Sequence, residues 1–140
     1  MTARVLRRTV LVLLALFIGA ARMAAQDDAS AEKAVMEWLS LVDHGRYAET
    51  WSSAASNFRQ AVTQEKWEEA AQRVREPLGA LKTRTVKGVT PTTSLPGAPD
   101  GQYVVFQFDA SFEHKAAAIE TVTAVLDTDG TWRVVGYFIR

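Results

Sequence analysis

From Ala31 to Val74 the apolar residues recur at helical spacing, and from Leu81 onward they recur every second position. The chain therefore reads as helices first and strands afterwards. Ser30 is a candidate cap for a helix beginning at Ala31, whose stripe is Val35, Trp38, Leu39 and Val42. Asp43-His44-Gly45 ends it, with Gly45 where a left-handed residue stops a helix. Tyr47 and Trp51 open a second helical piece, loosened by Ser52-Ser53 and resuming through Phe58 and Val62. Thr63 caps a third, with the stripe Trp67, Ala70, Ala71 and Val74. Pro77 and Gly79 close the helical half.

Leu81 to Val89 is a mixed, charged stretch suited to an edge strand, where lysine discourages stray pairing. Residues 90–101 hold three prolines and two glycines and read as a loop. Tyr103 to Glu113 alternates, with Val104, Phe106, Phe108, Ala110 and Phe112 on one side. Ile119 to Asp127 and Thr131 to Arg140 are two further strands, joined by a two-residue turn at Asp129-Gly130. That turn sets Val125 opposite Val134 and Val122 opposite Tyr137. In the last strand, Trp132, Val134, Gly136 and Phe138 then share one face, and Val135, Tyr137 and Ile139 the other. The expected fold is α+β: N-terminal helices packed on a curved four-stranded antiparallel meander.

The N-terminus carries a different pattern. Arg4, Arg7 and Arg8 precede the uncharged run from Thr9 to Ala21. As a helix that run rises only about 20 Å, short of the ~30 Å hydrocarbon core. With small residues following and Gln26-Asp27-Asp28 beyond, the layout is that of a cleavable secretory signal over residues 1–25, leaving one domain at 26–140. A cut after Ala21 and a cut after Ala25 both remain open. Arg7-Arg8 resembles a twin-arginine signal, but the strongly apolar run favours export of an unfolded chain. The expected location is periplasmic or secreted, without stable membrane insertion once the signal is removed.

Charge sharpens this picture. The 140 residues carry 16 basic and 16 acidic groups, and four of the basic ones, Arg4, Arg7, Arg8 and Arg22, lie in the leader. The mature part therefore has 12 basic against 16 acidic groups, a charge near −4 that opposes binding to nucleic acid. The absence of cysteine removes disulfides, thiolate nucleophiles and thiolate metal sites. His44 and His114 have no ligand-like spacing, and no Gly-x-Ser-x-Gly elbow or phosphate-binding glycine loop is present. No metal, cofactor or catalytic residue is expected.

From about Ala34 to Arg140 the chain resembles a bacterial family of small exported domains, number 4019 in the domain-of-unknown-function series. The matching pieces include Trp38-Leu39, Asp43-x-Gly45-x-Tyr47, Trp51, Trp67, Arg75-x-Pro77-Leu78-Gly79, the run Leu95 to Val105 and Asp129-Gly130-x-Trp132-Arg133-Val134-x-Gly136-Tyr137. The resemblance implies a cone of the nuclear-transport-factor-like or cystatin-like kind, and supplies no activity.

Acid–base chemistry of the isomerase or dehydratase kind would need a carboxylate and a tyrosine inside the cone. Asp109 and Tyr103 share a strand face. The opposite face, with three phenylalanines, has the stronger claim on the interior, because burying them gains several kcal/mol and burying Asp109 unpaired costs about as much. Asp109 is expected outside, and the interior is expected to lack a base. The candidate binding residues are Trp51, Arg75, Trp132 and Tyr137. The leading expectation is a non-enzymatic module that binds a protein partner (a second copy or another envelope protein) or a small apolar ligand. An acid–base enzyme and a purely structural envelope protein are the alternatives. A ligand carrier should show a pocket between sheet and helices; an interaction module should show a filled cone and an apolar outer sheet face.

Overall fold

A computed structural model describes the backbone of residues 2–140 and the side chains of residues 23–140. The chain divides into two units, Met1–Ser30 and Ala31–Arg140. The side chains of the expected leader, Arg4 to Ala21, lie outside the described residues. Among the described residues, no helix is long and apolar enough to cross a membrane.

Helix α1 spans Thr2–Asp43, so Ser30 lies inside a helix instead of capping one. No proline or glycine interrupts residues 20–44, and the alanine-rich run continues helical. Packing nevertheless begins at Ala31, and Val35, Trp38, Leu39 and Val42 are buried as their spacing predicts. Gly45 has φ +70°, and Arg46 N–H reaches back to Leu41 O at 2.9 Å, the left-handed close that the sequence announced. Two short helices follow, α2 (Tyr47–Ser52) and α3 (Ser56–Ala61). Helix α4 covers Gln64–Arg75, with Thr63 Oγ1 accepting from Lys66 N. Its buried row is Trp67, Ala71 and Arg75, while Ala70 is exposed and Val74 lies 44% exposed, so the expected stripe is turned by one position. A charged side chain can take the buried place there because it finds a partner, described below. A 3-10 turn at Glu76–Leu78 leads into the sheet.

The strands are β1 (Leu81–Thr92), β2 (Tyr103–Phe112), β3 (Lys115–Leu126) and β4 (Trp132–Ile139), in the order β1-β2-β3-β4 with every neighbour antiparallel. This is the α+β meander read from the sequence. Strand β1 runs past Val89 and through Pro91, shortening the expected loop; an edge strand tolerates proline because its outer side needs no ladder bond. Val104, Phe106, Phe108, Ala110 and Phe112 are all buried, and most of them form the core with α1, Trp67, Val122, Ala124 and Val134. Both tryptophans of the helical stripes anchor on one buried residue. Trp38 Nε1 donates to Thr50 O at 2.9 Å, and Trp67 Nε1 to Thr50 Oγ1 at 2.8 Å.

The β3–β4 hairpin departs from expectation. Gly130 N donates to Asp127 O, and Asp127 N to Thr131 O, each at 2.9 Å. The loop is therefore three residues, Thr128 to Gly130, with Gly130 at φ +79°. The extra residue shifts the register by one, so Val125 faces Arg133 and not Val134. A bulge at Val135 then restores it, and Val122 does face Tyr137. The bulge also breaks the expected alternation of β4, bringing Trp132 and Val134 onto the same face as Tyr137 and Ile139. Trp132, Val134, Tyr137 and Ile139 pack inward; Phe138 pairs with Thr121 on the outer face and is 55% exposed.

Candidate functional site

Three of the four strands carry, on the inner face, a position where the apolar pattern fails, and these failures converge. On β1 it is Arg84, paired in register with Ala110 of β2; on β3 it is Glu120, paired with Phe108; on β4 it is Tyr137. Only the methyl of Ala110 lies between Arg84 and β3, so the arginine extends across β2. Its Nε donates to Glu120 Oε1 at 2.6 Å and its Nη2 to Oε2 at 3.1 Å. From above, the last residue of α1 closes the group: Asp43 accepts from Arg84 Nη1 at 2.7 Å and Nη2 at 2.9 Å. Arg75, the last residue of α4, donates to Asp43 at 3.0 Å and lies 4.8 Å over the Phe112 ring. Tyr137 donates its hydroxyl to Glu120 Oε2 at 2.7 Å. Two arginines thus meet two carboxylates with no net charge. Side-chain exposure is 5% for Arg75, 6% for Arg84, 15% for Asp43 and zero for Glu120.

Buried charges of this kind are costly unless every one is paired and hydrogen-bonded. Burial alone would raise the Asp43 pKa, but the hydrogen bonds and charge of Arg84, with those of Arg75, hold it below its ordinary value. Burial would lower Arg84, and its bonds to Asp43 and Glu120 reverse that and raise it. Tyr137 is pushed far up by burial and by the Glu120 charge, against the opposing pull of Arg75, and stays protonated as a donor.

The interior does hold a carboxylate, which the strand pattern alone did not single out. Asp109 is outside, 59% exposed and 3.5 Å from Lys87, as its strand face requires. Glu120 takes the interior, and its cost is offset by a bidentate arginine and a phenol. Glu120 has the parity of Val122 and Ala124, which was the available signal; what strand alternation could not show was Arg84, two strands away, arriving as its partner. Of the four expected binding residues, Arg75 and Tyr137 come together in this network. Trp51 and Trp132 do not. Trp51 is half-buried and donates to Val62 O at 2.8 Å, and Trp132 is half-buried at the start of β4, beside an open cleft of about 440 Å3 that Glu37 and Arg133 also line.

Both Glu120 oxygens accept charge-assisted or phenolic hydrogen bonds, and the side chain has no exposed surface. A cleft of about 570 Å3 lies beside its Asp43–Arg75 end, rimmed by Glu49, Glu68 and Glu76. His44 and His114 are both exposed.

The outer face of the sheet is the second feature. With α1 and α4 on the inner face, its covered part is the end where Leu95 and Ala55 pack on Tyr103, Val125 and Val135. Beyond that, three rows cross the strands. They are Thr90–Val105–Thr123–Gly136, then Gly88–Gln107–Thr121–Phe138, then Thr85–Asp109–Ile119–Arg140. Beside the last row lies a shallow groove of about 510 Å3 lined by Thr83, Ser111 and Ala116 to Ile119.

Comparison with curated proteins finds no match. The model of the family described as protein of unknown function (DUF4019) matches residues 34–137, from the part of α1 that packs to Tyr137 of the network, and the chain belongs to that family.

Proposed function

We propose that the chain is exported by cleavage of its leader and that the mature domain is a non-enzymatic interaction module, docking a protein partner on the outer face of its sheet. We take its sheet and helices as a cone of the nuclear-transport-factor-like or cystatin-like kind. The observation that carries the reading is the contrast between the two sheet faces. The inner face is filled: Phe106, Phe108, Phe112 and Leu39 are fully buried, and Glu120, with no exposed surface, is held by two hydrogen bonds from Arg84 and one from Tyr137. The outer face presents Thr85, Thr90 and Thr123, Val105 and Ile119, with Phe138 standing 55% exposed among them. A small apolar ligand would need interior space that those side chains occupy, and acid–base catalysis would need a carboxylate that a substrate can reach, whereas Glu120 has no exposed surface. Exposed apolar patches on small domains mark contacts with other macromolecules.

Native mass spectrometry of the protein taken from its own envelope fraction tests this. A second polypeptide bound to a chain beginning at Arg22 or Gln26 is the expected result. A reproducible small-molecule adduct would replace docking by ligand carriage, and a bare monomer at every concentration would overturn the reading.

A further inference from the structure

The outer-face rows have a property that selects the partner. Across the inner strand β3, one row reverses in charge and another in bulk. Asp109 on β2 and Arg140 on β4 flank Ile119, and Val105 on β2 and side-chain-free Gly136 on β4 flank Thr123. Gln107 and Phe138 flank Thr121 in the same way. Neighbouring strands are about 4.8 Å apart and stacked sheets about 10 Å, so a second sheet laid on this face places its own rows over these. If the copy is turned by a two-fold axis running along β3, its β4 lies over β2 and its β2 over β4. Asp109 then meets Arg140 of the second copy, Val105 fills the space over its Gly136, Gln107 packs on its Phe138, and Ile119 meets Ile119 across the axis. A face whose charge and bulk invert about its midline is complementary to itself turned over, which is the requirement of an isologous two-fold interface. The three strands that overlap about this axis, β2 to β4, present at most roughly 360 Å2 over about 25 Å of strand length, which places the contact among small interfaces held by specific pairing.

We infer that the occupant of the outer face is a second copy of this chain, paired about a two-fold axis along β3 with Asp109 opposite Arg140 at both ends of the row. This rests on the docking reading above and narrows it to one partner. Asp109 and Arg140 are exposed, so replacing them leaves the core untouched.

The test is sedimentation equilibrium of the protein from its envelope fraction, as wild type and as the charge variants Asp109→Arg and Arg140→Asp. Wild type is a dimer. Each variant alone sets like charges against each other twice and weakens the dimer at least about a hundredfold. Mixing the two variants in equal amounts restores a heterodimer, because the unlike charges meet again. That rescue also shows that both variants are folded. A wild-type dimer indifferent to both substitutions pairs through another surface, and a wild-type monomer has no such pairing; either overturns the inference. The two readings separate at that point: a monomer that still carries a different polypeptide, released by Phe138→Asp, keeps the docking reading and removes the second copy. If Phe138→Asp releases nothing, the docking reading fails as well.

Discussion

Glu120→Gln keeps the side chain's shape and removes the negative charge that both nitrogens of Arg84 address. The network then holds an extra positive charge in a place closed to water, and removing one partner of a buried pair costs about 3–5 kcal/mol. Urea unfolding should show that loss, while Asp109→Asn, on an exposed carboxylate, should shift stability by less than about 0.5 kcal/mol. Asp43 supplies the pH dependence. Its pKa is lowered from 3.8 on folding, so its contribution is complete above that value and is lost as pH falls through the lower folded value. The urea midpoint should therefore drop below about pH 4, and Asp43→Asn should lie lower at neutral pH but lose less on acidification. At this scale the sequence was half legible. The spacing of Trp38 and Trp67 marked them for the core. Arg75 and Tyr137 were singled out as ligand residues, and the structure places them against Asp43 and Glu120. Buried charge is read wrongly from a single strand because its partner, here Arg84, comes from another element.

Turns and caps decide how the elements join, and two glycines show the range. Gly130 has φ +79° in open space, so Gly130→Ala meets only the backbone cost of a left-handed residue, about 1–2 kcal/mol. Gly79 combines φ 72° with ψ −160°, a region held almost only by glycine, and a Cβ there would sit 2.8–2.9 Å from Glu113 and His114. Gly79→Ala should cost clearly more than Gly130→Ala when both are compared by thermal unfolding; equal losses would mean the connection into β1 relaxes freely. The β3–β4 hairpin explains why elements were easier to foresee than their facing. Asp129-Gly130 marked the turn correctly, but the same residues fit a two-residue and a three-residue loop. The longer loop moves the register by one, and Val135 is extruded to return it. Loop and bulge together decide that Trp132 and Val134 lie on the same face as Tyr137 instead of opposite it. Composition has no period that reports a bulge, so the facing of β4 was legible only up to that point.

For the whole molecule, the question is where the folded unit begins. Residues 23–27, 29 and 30 are exposed, whereas Ala31 and Val35 have no exposed surface, and the compact unit starts at Ala31. Burying a valine side chain gains about 1.5–3 kcal/mol, and Ala31 adds to that. The network ties this end of the chain to the other: α1 finishes on Asp43, which holds Arg75 of α4 and Arg84 of β1, and through Arg84 reaches Glu120 and Tyr137 near the C-terminus. Stability should therefore be insensitive to the residues before Gln26 and sensitive to the turns from Ala31 onward. A chain beginning at Gln26 is expected to match the full chain in urea midpoint within about 0.5 kcal/mol. A chain beginning at Met36 removes Ala31 and Val35 together and shortens the lever that holds Asp43 in place, so it should lose more than about 2 kcal/mol. Equal midpoints for all three would mean that α1 is a passive cover and that the sheet and α4 hold the charged network on their own. A loss already at Gln26 would instead make the residues before it part of the folded domain.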